Sequence, residues 1–185
     1  IRQAMAAEPD DFLIQKQAVF LLLASSKQAD RDEGSLLLEK TLADHPDDID
    51  LRLQKSTILL RRGPKPAIAE AMEILDNVLL DRPKTARSRS MMATVHLNQG
   101  DFAKASEMAL RGLSYLPRSR MLLRIKANAE GRQSPDLAVA TLQLAYENNP
   151  DNLNAAVEYA RALALNKKFD EAIKLLEEKS KDAKD

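Results

Sequence analysis

Residues 86–117 read ARSRSMMATVHLNQGDFAKASEMALRGLSYLP. Met92, Val95 and His96 recur at helical spacing before Asn98-Gln99-Gly100-Asp101-Phe102. Ala105, Met108, Ala109 and Leu113 do the same after it. An apolar face with a period near 3.6, a glycine turn and a second such face predict a helical hairpin closed by Pro117.

The hairpin recurs. Prolines stand at Pro9, Pro46, Pro83, Pro117 and Pro150, at intervals of 37, 37, 34 and 33 residues. Each is followed by a polar pair: Asp10-Asp11, Asp47-Asp48, Lys84-Thr85, Arg118-Ser119 and Asp151-Asn152. Such a pair after a proline marks a helix stop and a new start. Twelve residues before four of the prolines comes a small residue: Gly34, Ala71, Ala105 and Ala138. These gaps stay fixed while the proline interval changes. The extra residues of the first two copies, including Gly63-Pro64-Lys65-Pro66, are therefore expected in the turn between the paired helices.

The residues resemble the tetratricopeptide repeat: Ala93, Gly100, Phe102, Ala105, Gly112 and Pro117 in the clearest copy, with Ala160, Phe169 and Ala172 in the last. The resemblance implies an all-α fold, an α-α superhelix (solenoid) of tandem antiparallel helical hairpins. It divides one array into a tail at 1–8, repeats at 9–45, 46–82, 83–116 and 117–149, and a last repeat with a C-terminal helix at 150–185. The family's bulky aromatic early in the first helix is missing, with Gln15, Arg52, Arg89 and Ala156 in its place. The fourth copy is one residue short, which leaves its first-helix register open. Residues 1–8 look like the end of a preceding repeat, so the array is expected to continue upstream.

Chemistry for catalysis is lacking. There are no cysteines, and the two histidines, His45 and His96, have no second ligand at metal spacing. No phosphate-cradling glycine loop is present. The reading is no enzyme, no cofactor, no metal and no small-molecule substrate. No apolar run is long enough to span a bilayer. The compartment stays open between cytoplasm and periplasm, and a homo-oligomer stays open too.

The expected function is therefore a protein-protein interaction scaffold that holds a peptide or protein partner in a concave groove. By the resemblance, partner contacts come from set positions on the first helices. These are Lys16 and Phe20; Thr57 and Arg61; Arg87, Ser90, Thr94 and Asn98; Arg124, Asn128 and Arg132; Asn154 and Arg161. The set is rich in cations, which suits an acidic partner. Net charge is zero, but residues 82–132 hold 11 basic and 3 acidic side chains, whereas 1–81 hold 10 and 15. Nucleic-acid binding through this belt is disfavoured because its aromatics are only Phe102 and Tyr115. An alternative is a regulatory or targeting arm of a larger enzyme or a cell-envelope or secretion complex.

Overall fold

The structure, a computed structural model, describes residues 1–182, without the side chains of Arg62 and Asp182. The charged end of the chain at 183–185 lies outside the described residues. Among those described, all regular structure is α-helical. The chain packs as two compact units, residues 1–80 and 81–185.

Unit 1 holds α1 (Arg2–Ala7), α2 (Phe12–Leu23), α3 (Gln28–Asp44), α4 (Ile49–Arg62) and α5 (Lys65–Asp81). Its core joins Val19, Leu23, Leu38 and Leu51. Unit 2 holds α6 (Ala86–Asn98), α7 (Phe102–Leu113), α8 (Arg120–Glu130), α9 (Pro135–Glu147), α10 (Leu153–Leu165) and α11 (Phe169–Asp182). Here α7 packs on both α6 and α8, and α9 on both α8 and α10.

Local chemistry sets the helix starts. Asp11, Asp48, Ser119 and Asn152, each the second residue after a proline, accept the amides of Ile14, Leu51, Leu122 and Ala155. These bonds satisfy amides that the first helical turn would leave without partners. Thr85 departs from the pattern; its hydroxyl donates to the Arg82 carbonyl instead.

Small residues set the packing distance. The tenth residue after each proline is Val19, Ser56, Ala93, Ala127 or Ala160, each at most 2% exposed. On the second helices, Ala71 and Ala105 are fully buried. Helix axes come within ~8–10 Å only where such contact residues are small. At Gly34 the approach is closest, since an added Cβ would lie 2.9 Å from the Leu22 Cβ and 3.0 Å from the Leu23 nitrogen.

Two expectations need correction. The extra residues of the early copies do not lengthen the turns. They lengthen the second helices: α3 and α5 each have 17 residues, against 12 in α7 and 13 in α9. Pro66 fits this, because proline is tolerated in a first helical turn, where the amide would lack a helical partner. The register of the fourth copy is also regular. Ala127 occupies the small position, and α8 stops early, at Glu130, so the missing residue falls after the packing face.

The absent aromatic has a substitute. Buried Gln15 donates from Nε2 to the Pro9 carbonyl at 2.7 Å, and Arg89 donates to the Pro83 carbonyl. In both copies a long polar side chain reaches back six residues and ties the helix to the turn that precedes it.

Candidate partner-binding surface

In unit 2 the expected contact line of the first helices runs through the fourth, seventh, eleventh and fifteenth residues after each proline. Arg87, Asn98, Arg124, Asn128, Asn154 and Arg161 stand on this line and are exposed. The arginines step along it: Arg87 is fourth after Pro83, Arg124 seventh after Pro117, and Arg161 eleventh after Pro150. Each successive first helix thus presents its guanidinium about one helical turn further on. Exposed Met121, Val157 and Leu165 sit beside them on the same helices.

Of the expected contact residues, Ser90 is buried, and Thr94 and Thr57 are half-buried. Ser90 is only 5% exposed, and its hydroxyl donates to the Arg87 carbonyl. The Thr94 hydroxyl donates to the Ser90 carbonyl and that of Thr57 to the Leu53 carbonyl. A hydroxyl bonded to its own helix one turn back has spent its proton. Arg132 is exposed but lies in the turn after α8, with its guanidinium 5.9 Å from the Phe102 ring centroid.

Pairing within a helix or turn does not account for the basic belt. Asp101 pairs with Lys104, Glu107 with Arg111 and Glu130 with Lys126. Those are all three acids between 82 and 132. The other eight cations have no carboxylate at ion-pair distance among the described residues.

Unit 1 is built differently. Lys16, expected in the groove, is committed: its ammonium lies 2.8 Å from Asp48 and 2.7 Å from Asp50. This joins the first helix of one hairpin to the start of the next. Lys55 likewise pairs with Glu39 and Glu70, and Arg2 with Asp30 and Glu33. Each cation bridges two acids on neighbouring helices. Phe20 and Thr57 are half-buried, and only Arg61 of the expected set stands exposed. A sequence cannot show such clasps, because the Arg2 and Lys16 pairs span about 30 positions and the Lys55–Glu39 pair 16.

The Lys16 clasp carries a pH signature. Burial pushes the Asp48 carboxyl up, but the Lys16 ammonium and the Leu51 amide more than reverse this and hold it below the usual carboxylate range. A carboxyl lowered in the folded state contributes stability above its unfolded pKa and loses it as pH falls through the folded value. Lys16→Met is therefore expected to cost about 1 kcal/mol at pH 7, given partial solvent screening. That difference from the parent chain should shrink at about pH 3, below the ~3.9 at which an unfolded Asp carboxyl titrates, because the advantage is lost as pH falls toward the lowered Asp48 value. Urea melts at the two pH values check this.

Residues 131–185 match the family model for the tetratricopeptide repeat. The C-terminal third of the chain is thus similar to this repeat. The chain's fold is shared by solved structures of MamA. The MamA 41-end structure from Desulfovibrio magneticus RS-1 has a TM-score of 0.73 at 14% identity, covering 93% of this chain and 94% of that one. A crystal structure of MamA protein gives 0.71 at 16% identity, covering 94% of each chain. At these identities the likeness establishes the helical-repeat fold. No curated protein matches the sequence significantly. Tetratricopeptide arrays are in general protein-interaction scaffolds, and this chain has that architecture.

Proposed function

We propose that the first-helix face of unit 2 holds an extended, acidic segment of a protein partner. The observation that carries this is the imbalance of the 82–132 belt, where every acid is already paired and Arg87 and Arg124 face outward without a carboxylate. Arginine takes a carboxylate through two parallel N–H bonds, and exposed Asn98, Asn128 and Asn154 can bond a peptide backbone on both its N–H and C=O sides. Met121 and Val157 offer apolar contact between the charges. Unit 1, taken by itself, offers fewer free cations of the expected set, since Lys16 is neutralised by two aspartates.

The test is fluorescence anisotropy with two labelled peptides, one alternating Glu and Leu, the other Lys and Leu. The acidic peptide should bind, and Arg87→Glu with Arg124→Glu should weaken it by at least about tenfold while the melting curve stays in place. Equal binding of the lysine peptide, or full binding by the double variant, would defeat the reading.

A further inference from the structure

The turns that follow the closing prolines differ in sign. Their second residue caps a helix or holds the turn, but the first is exposed and makes no hydrogen bond or ion pair among the described residues. That free position is Asp10, Asp47 and Asp151 in three copies, and Lys84 and Arg118 in the other two. The turn 82–85 and the turn 114–119 are neighbours in unit 2. Arg89 joins them by donating to the Pro83 carbonyl while its guanidinium lies 5.1 Å from the Tyr115 ring centroid. Arg82, Lys84, Arg118 and Arg120 are exposed around this junction. No acid occurs in 82–100 or 108–129. Asp81 is the last acid before the first stretch and Glu130 the first after the second.

Leu116 is 53% exposed and Tyr115 is 41% exposed at the tip of the second turn. The first is next to Pro117 and belongs to neither buried cluster of unit 2. We infer that this proline-turn edge of unit 2 is a second, separate interaction surface, one that docks peripherally on an anionic lipid bilayer. Basic residues near such a surface are drawn to its headgroups, and a leucine and a tyrosine at the tip suit the interfacial layer. The patch is made of projecting turns rather than a channel, and its one aromatic already carries the Arg89 guanidinium. Both features fit a bilayer surface better than single-stranded nucleic acid, which needs free rings for stacking. No described helix is long and apolar enough to cross a membrane, so the contact is a surface one.

The surface stands apart from the first-helix site, because Lys84 and Arg118 take no part in it. The experiment is sedimentation of the chain with vesicles of phosphatidylcholine alone or with one-third phosphatidylserine. Binding should need the anionic lipid and fall as salt is raised. Lys84→Asp with Arg118→Asp restores the acid that other copies carry at this position, so the fold tolerates it. The partition coefficient should drop at least about 30-fold. The milder Lys84→Ser with Arg118→Ser should lie between, and Leu116→Ser should weaken binding without changing its salt dependence. Binding of the Glu-Leu peptide should survive in all three. The inference is overturned if anionic vesicles do not bind, if the Asp variant binds as the parent does, or if duplex DNA binds and vesicles do not.

Discussion

Lys126→Met is expected to destabilise unit 2 by about 3 kcal/mol. The Lys126 ammonium pairs with Glu130 one turn along α8 and donates to the Thr141 hydroxyl of α9 at 3.0 Å. Thr141 in turn donates to the second Glu130 oxygen at 2.6 Å. Glu130 and Thr141 are 8% and 6% exposed. Removal of the ammonium leaves a carboxylate in the α8–α9 seam with one neutral donor. A buried charge without its counter-ion costs far more than the pair contributes when intact. The double change Lys126→Met with Glu130→Leu removes both charges and should recover most of the loss. Urea unfolding of the two variants and of Glu130→Leu alone closes the cycle. A single-variant cost under about 1 kcal/mol would mean that Glu130 finds water or protonates at no penalty.

The helical repeat was legible because its signals are local. Each proline with its following polar pair marks one turn, and small residues recur at fixed distance from it. The same ruler, applied to Ala127, also resolves the fourth copy. What escaped is what depends on partners far along the chain. Lys16 has the position of a groove residue, and only the fold shows that Asp48 and Asp50 hold it. Ser90 and Thr94 look like available hydroxyls, yet each bonds its own helix. Arg132 has the right spacing for a helical position, but α8 ends two residues before it. Gln15 and Arg89 looked like plain departures from the repeat; their shared reach to a proline carbonyl appears only in three dimensions.

The charge separation has one further use. Unit 1 ties its helices together through Arg2, Lys16 and Lys55, each of which pairs with two acids. Unit 2 packs chiefly through alanines and leucines, with the half-buried Lys126 in its α8–α9 seam. Among its arginines, Arg87, Arg118, Arg120 and Arg124 make no ion pair among the described residues. Ion pairs thus tie the helices of unit 1 together, whereas most cations of the 82–132 belt in unit 2 have none among the described residues.

Gly34→Ala is the second large effect, and its sign is the informative part. Alanine is favoured over glycine inside a helix by about 1 kcal/mol, so propensity alone forecasts a more stable chain. Gly34 lies within α3 and is buried against α2. The new methyl would stand 3.0 Å from the Leu23 backbone nitrogen and 2.9 Å from the Leu22 Cβ. Neither atom can swing aside, since one is main chain and the other is fixed to it. The helices must separate, which loosens the seat of Leu38 and Val19. Overpacking of this kind costs roughly 1–3 kcal/mol, enough to cancel the propensity gain and leave a net loss. Gly112→Ala gives the contrast. Its methyl would meet the Leu122 Cδ1 at 2.8 Å, the far end of a side chain that can rotate. The Gly34 variant should therefore lose more stability than the Gly112 variant in parallel urea melts. If Gly34→Ala instead raises stability, α2 and α3 do not approach as closely as this packing requires.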